Sequence, residues 1–244
     1  MVSFVMLTWN RKQFVEKMFS SFYKSKSEKY NYEFLIIDNG SIDGTASLLK
    51  EAEKNDPHIK IWYNKKNKSL NEYKKLFNRS KGDYIIIIDD DVIEFPKDFD
   101  KIMVDFINVF YDFGFIALDV IQNEFTNGAK PELKFYKDIL KNGLTISEGP
   151  AGGWCSIFRK TDYKKIKFKM AGKRLDMKNG EDGVLCYLFE NILGLKQGLT
   201  KGIKCFHACG PWYSKEFGYL DRDIQKYKAS GLDNFVELYN KYKA

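Results

Sequence analysis

A chain of 244 residues with 44% hydrophobic and 16% aromatic side chains has ample apolar surface for a core, which excludes an intrinsically disordered chain. Its 40 Lys and Arg against 33 Asp and Glu leave a net charge of +7, which invites a polyanion as partner. Only Arg11, Arg79, Arg159, Arg174 and Arg222 are arginine, so the bidentate fork favoured by phosphate- and base-reading surfaces is scarce, and nucleic acid stays an alternative partner.

Residues 3–8 are a short apolar run ending in polar residues, which predicts a buried strand. Asn10 is placed to cap the following helix, in which Phe14, Met18 and Phe22 recur every four residues. A second strand over residues 34–37 stops at Asp38-Asn39-Gly40-Ser41, and residues 45–53 read as a helix. A third strand follows at 59–63, then a helix marked by Leu70, Tyr73 and Phe77, then a fourth strand over 84–88. Four alternations of strand and helix predict an α/β fold with a mostly parallel central sheet and helices on both faces. In such sheets ligands bind at the carboxyl ends of the strands. The polar clusters at 8–11, 38–43 and 89–91 all fall there.

The second half is less regular. Phe99, Ile102, Met103, Phe106, Ile107 and Phe110 outline an amphipathic helix. Strands are expected at 115–118, 155–158 and 203–206, a helix at 182–193, and two basic helices from 216 to the end. The chain is expected to form one domain: 1–95 as its nucleotide-binding half, 96–215 as its acceptor half, and 216–244 as the helical C-terminal segment. Cys155, Cys186, Cys205 and Cys209 have no framework spacing and read as reduced thiols; Cys205-x-His207-x-Cys209 offers too few ligands for structural zinc. With no secretory signal and no apolar membrane span, the expected location is cytoplasmic, with peripheral membrane contact through the basic C-terminal helices left open.

Asp89-Asp90-Asp91 carries the clearest chemistry. Three adjacent carboxylates at a strand end repel one another unless a cation sits among them. Magnesium and manganese take such oxygens and leave positions for phosphates. An acidic turn in solvent is the bland alternative.

Three blocks in order, Phe4-Val5-Met6-Leu7-Thr8-Trp9-Asn10-Arg11, Ile36-Ile37-Asp38-Asn39-Gly40-Ser41-Ile42-Asp43-Gly44-Thr45 and Lys81-Gly82-Asp83-Tyr84 through Asp91, resemble family 2 glycosyltransferases of the GT-A (Rossmann-like) fold. The resemblance implies a nucleotide-sugar donor, UDP-linked, and a glycan or glycoconjugate acceptor. It implies that Asp38 binds the base, with Thr8, Asn10 and Asn39 in the same pocket. Asp89 would meet ribose or metal, Asp90 would be the variable middle position, and Asp91 would hold the metal, manganese in preference to magnesium. Asn39 departs from the family's usual Asp. Gly180-Glu181-Asp182 is similar to the family's Glu-Asp motif, which makes Asp182, or failing it Glu181, the catalytic base; a helix cap is the competing reading. His207 falls where relatives carry a third metal ligand, and Gly153 and Trp154 where they bind donor sugar or acceptor. Trp154 and Trp212 offer flat faces for a sugar or for the core. A nucleotidyltransferase would need a glycine-rich loop after strand one, which Trp9-Asn10-Arg11-Lys12 does not supply. A catalytically dead binding module would not need the Asp89/Asp91 and Glu181-Asp182 pairs.

Overall fold

A computed structural model describes residues 1–126 and 130–243. In its first part Val2–Thr8 (β1), Lys12–Ser25 (α1), Tyr32–Asp38 (β2), Thr45–Asn55 (α2), Ile59–Tyr63 (β3), Tyr73–Arg79 (α3) and Tyr84–Ile88 (β4) alternate as expected. The strands lie side by side as β3-β2-β1-β4, all parallel. Consecutive isoleucines in β4 serve opposite layers. Ile86 and Ile88 join the core under α1 and Phe99–Val109 (α4), while Ile85 and Ile87 join Leu76 and Phe77 of α3. A strand covered on both faces needs apolar residues at every position, which is why β4 reads as an unbroken run.

Beyond β4 come Val92–Glu94 (β5), Phe113–Val120 (β6), Lys137–Lys141 (β7), Leu144–Glu148 (β8), Cys155–Arg159 (β9) and Lys160–Ala171 (α5). Glu181–Leu193 (α6), Lys196–His207 (β10), Pro211–Glu216 (α7), Leu220–Ala229 (α8) and Asp233–Asn240 (α9) complete the strands and α-helices among the described residues. The sheet as a whole is mixed: β9 runs antiparallel to both β4 and β6, while β10 lies parallel to β6. Among the described residues no α-helix separates β6 from β9, and a strand reached without a helical crossover returns antiparallel. The β7–β8 hairpin and α5 were absent from the sequence expectation. The hairpin turns at Asn142-Gly143, both at positive φ. The expected strand 203–206 is the back half of the longer β10, and the segment from 216 on holds the two expected helices, α8 and α9, with the short α7 just before them. Neither α8, with Asp221 and Asp223 in its first turn, nor α9, with Asp233, is uniformly basic. Asn10 does not cap α1; it sits at φ 49, and Arg11 occupies the cap position. Among the described residues no helix is long and apolar enough to cross a membrane.

One turn holds the parallel half in register. Buried Glu33 accepts hydrogen bonds from Ser3 Oγ (2.7 Å) and Lys81 N (2.5 Å), and Gly82 N donates to Ser3 Oγ at 2.8 Å. A Cβ on Gly82 would lie 2.6 Å from the Ser3 nitrogen and 2.8 Å from the Met1 carbonyl, so the chain needs glycine there. Gly82→Ala should therefore lower stability by about 1–3 kcal/mol, the usual cost of forcing atoms into a packed site. Urea denaturation measures it; an unchanged midpoint would mean that the β1 backbone yields freely.

Candidate active site

The sheet assembles a charged cluster at the end of β4. Asp89-Asp90-Asp91 makes a tight turn in which Val92 N donates to the Asp89 carbonyl (3.2 Å). The chain then enters β5, whose Val92 pairs with His207 at the end of β10, and Ala208 N donates to the Asp91 carbonyl at 2.9 Å. That antiparallel pairing carries His207 to the carboxylates. On the other side Asp89 N donates to the Trp154 carbonyl (2.9 Å), which brings the Gly152-Gly153 loop alongside. Gly153 N in turn donates to Asp182 Oδ2 at 2.9 Å, at the start of α6.

Asp91 is the best compensated of the three. Arg11 Nη1 donates to one of its oxygens and His207 Nε2 lies against the other, both at 2.9 Å. Burial opposes ionisation, but these two partners hold its carboxyl well below the usual range. The same contact raises the His207 pKa well above its ordinary value, against the opposing effect of burial. Asp89 has weaker support, with His207 Nε2 at 3.9 Å. Burial and the Asp91 charge push its carboxyl up to about 7. Asp90 is also raised by burial, and Arg11 opposes that shift; its carboxylate accepts from Thr8 Oγ1 at 2.7 Å. Asp89, Asp91 and His207 each offer a ligand atom within 4.8 Å of the others, and two carboxylates with an imidazole suit a divalent cation.

Arg11 reaches further. Its Nη2 meets Asp223 of α8 at 3.0 Å, and Asp223 also accepts from Ser214 Oγ at 2.6 Å and from Arg222. Arg222 additionally donates to the Trp9 carbonyl at 2.7 Å. With Arg11 and Asp223 both buried, this network ties α8 to the carboxylate turn. Arg11 stood in a motif and Arg222 among the five arginines, yet the sequence reading gave neither a role.

A cleft of about 1180 Å³ opens over this cluster. Thr8, Asn39, Asp89, Asp90, Asp91, Gly153, Glu181 and Asp182 line it, so much of the predicted set converges. His207 meets the cluster through Asp91 and does not itself line the cleft, and three further residues are placed otherwise. Asp38 is 2% exposed, and its carboxylate accepts from Ser41 N and Ser41 Oγ, so it holds the turn after β2 and does not line the cleft. Asn10 faces the same turn: its Oδ1 accepts from Ile42 N, and its backbone N donates to Ser41 Oγ. Trp154 is 5% exposed and donates from Nε1 to the Leu118 carbonyl (2.8 Å), which makes it a core residue and no stacking face for a sugar. Trp212 stacks on Phe125, with ring centroids 4.5 Å apart. Asn39 lines the cleft with its amide already engaged: it donates to Asn67 and Ser69 and accepts from Asn64 and Lys68 N.

At the head of α6 the cap position is Gly180, which settles the placement of Asp182: it is the second helical residue, and its oxygens accept from Gly153 N and Gly183 N. Glu181 is buried, and burial together with the Asp182 and Asp89 charges lifts its pKa well above the carboxylate range. Burial thus disfavours the charged form of Glu181, while Asp182 lines the cleft. A Cβ on Gly153 would sit 3.0 Å from Glu181 Oε1 and 3.4 Å from the Asp182 Cβ, so glycine keeps room for both.

Residues 3–167 match the model of glycosyl transferase family 2. The chain belongs to that family. Among curated family relatives, a segment is 32% identical over 88 residues to a dolichyl N-acetyl-alpha-D-glucosaminyl phosphate 3-beta-D-2,3-diacetamido-2,3-dideoxy-beta-D-glucuronosyltransferase of Methanococcus voltae, covering 35% of this chain and 27% of that protein. Another is 35% identical over 107 residues to an uncharacterized glycosyltransferase of Haemophilus influenzae, covering 42% and 32%. The matches therefore span about a third or less of those relatives' lengths. In fold, the chain resembles the mannosyltransferase PcManGT from Pyrobaculum calidifontis, solved with GDP-Man and Mn2+ (TM-score 0.65, 15% identity, 92% of this chain and 61% of that one). It also resembles S. aureus TarS in complex with UDP-GlcNAc (TM-score 0.63, 14% identity, 84% and 57%).

The electrostatics give a signed pH dependence. Asp89 must be ionised and His207 neutral to ligate a cation, so protons compete with the metal at both. Because Asp89 is held at about 7, manganese affinity should weaken as pH falls through 7, by about tenfold per unit for each proton displaced. Titration calorimetry at pH 8 and pH 6 tests this. Equal affinities would exclude Asp89 as a ligand.

Proposed function

We propose that this family member is a metal-dependent glycosyltransferase that moves a sugar from a nucleoside-diphosphate donor, UDP-linked, to an acceptor hydroxyl of a glycan or glycoconjugate. The observation that supports the reading is the gathering of Asp89, Asp91 and His207 ligand atoms within 4.8 Å of one another, with Asp89, Asp91 and Asp182 lining one cleft. Asp89, Asp91 and His207 would hold a divalent cation, manganese in preference to magnesium because of the imidazole, and its chemistry there is to neutralise the departing diphosphate. The complexes of PcManGT with GDP-Man and Mn2+ and of TarS with UDP-GlcNAc support a nucleotide-sugar donor for this fold.

The remaining steps belong to the chain's own side chains. Thr8 and Asn67, the latter held in place by the Asn39 amide, offer polar contacts to the nucleoside. Arg222 and Lys226 of α8 border the same cleft and add positive charge near the phosphates. Asp182 takes the proton of the acceptor hydroxyl as its oxygen bonds to the anomeric carbon and the bond from that carbon to the diphosphate breaks. Attack opposite the leaving group inverts the anomeric centre, as the family resemblance implies. Burial raises the Glu181 pKa and so favours its neighbour Asp182, which lines the cleft, as the base.

With manganese and no acceptor, slow hydrolysis of a panel of UDP- and GDP-sugars should release UDP from one of them. Asp182→Asn keeps the size of the side chain and loses the proton acceptor. Transfer should fall by roughly a hundredfold or more, the scale of general-base catalysis, with the donor KM nearly unchanged. A fully active Asp182→Asn enzyme would remove Asp182 from the chemistry.

A further inference from the structure

Residues 160–174 contain seven cations, Lys160, Lys164, Lys165, Lys167, Lys169, Lys173 and Arg174, and one acid, Asp162. The acid does not offset them at the surface. Asp162 is buried and engaged by Arg159 at 3.2 Å and Lys165 at 3.0 Å. Lys160 turns inward to the Phe77 carbonyl, whereas Lys164, Lys165, Lys167 and Lys169 are exposed.

Helix periodicity sorts α5 into two faces. Asp162, Tyr163, Ile166 and Met170 are buried and form one stripe against the core. Opposite that stripe stands Phe168, 80% exposed. Lys164 lies one turn before it, with Lys165 and Lys167 on its two flanks. On the neighbouring α6, Tyr187 is 54% exposed and Lys173 lies 5.3 Å over its ring; Glu190 is the acid on the exposed side of that helix. An apolar ring at the crest of a lysine-rich helix is costly in water and suited to a surface that is negative outside and apolar within.

We propose that the outer face of α5 docks on an anionic lipid bilayer, with Phe168 entering the interface and Lys164, Lys167 and Lys169 lying at the headgroups. Charge complementarity selects this occupant. Six of the seven cations are lysine, point charges that suffice for a diffuse negative surface, whereas polynucleotide phosphates favour arginine forks. The helix also runs directly into residues 174–183, most of which line the active-site cleft, so a docked α5 holds one wall of the cleft near the membrane. The proposal goes beyond the sugar-transfer reading and does not depend on it.

Co-sedimentation with vesicles of phosphatidylcholine alone and of phosphatidylcholine with phosphatidylglycerol tests it, using the full chain and no nucleotide. Wild type should pellet with the anionic vesicles and not the neutral ones, and added salt should release it. K164Q/K167Q/K169Q should weaken binding roughly a hundredfold, at about fivefold per lysine near an anionic surface. F168S should weaken it several-fold with the salt dependence unchanged. Both variants alter exposed positions, so thermal unfolding and metal-dependent donor hydrolysis should match wild type. Equal binding to neutral vesicles, no binding to anionic ones, or full binding by the triple variant would overturn the proposal. So would lysine-dependent binding of a single-stranded oligonucleotide without vesicle binding, which would assign the face to a polynucleotide.

Discussion

Three adjacent carboxylates at the end of a strand whose four isoleucines are buried repel one another and lose hydration together, so the surrounding structure must bring cations to them. Arg11 and His207 meet Asp91 from opposite sides, and Arg222 lies near enough to Asp90 to favour its charge. Asp89 is left with the least support and is pushed up to about 7. This uneven sharing gives the cluster its character. One carboxylate is firmly anionic, a second is held by Thr8, and the third remains ready to accept a further positive charge. Removing one member of such a buried pairing typically costs about 3–5 kcal/mol, because the partner is left charged and alone. The same residues thus stabilise the fold and prepare the site.

The need to place Arg11 explains much of the motif after β2. Asp38 fixes Ser41, and Ser41 Oγ accepts from Asn10 N. Asp43 accepts from Thr45 N, Thr45 Oγ1 and Lys12 N, while Thr45 Oγ1 accepts from Arg11 N. The Asp38–Thr45 stretch thereby ties the turn after β1 to the turn after β2 and fixes the start of α1. Arg11 leaves that brace with its guanidinium between Asp91 and Asp223, 212 residues further along the chain. Family motif and C-terminal helix are two ends of one electrostatic arrangement.

Short apolar runs bounded by turn residues were legible in the sequence: β3 and β4 at 59–63 and 84–88 match to the residue. The missed elements have physical reasons. Helix α5 buries four residues among many lysines, so its apolar stripe is thin, and β7 exposes Leu140 at 72%. The Asn142-Gly143 pair was the local signal for that hairpin and was passed over. Within the site, Asp89, Asp91, Asp182 and His207 were legible because acidic and imidazole side chains at strand and helix ends carry chemistry. Asp38 and Trp154 were misplaced because the sequence does not say which side of a strand end a residue faces. The bridge from Arg11 to Asp223 was invisible, since it depends on β10 and α7 leading the chain back to the carboxylate turn.

The central claim is that the cluster at the end of β4 binds a cation and, through it, a nucleoside diphosphate. Calorimetric titration of UDP into wild type and Asp91→Ala, each with and without manganese, tests it most directly. The account predicts that wild type binds UDP tightly only when manganese is present, and that Asp91→Ala loses this metal-dependent gain while retaining a cooperative thermal transition. Manganese-dependent UDP affinity that is the same in a folded Asp91→Ala variant would contradict it.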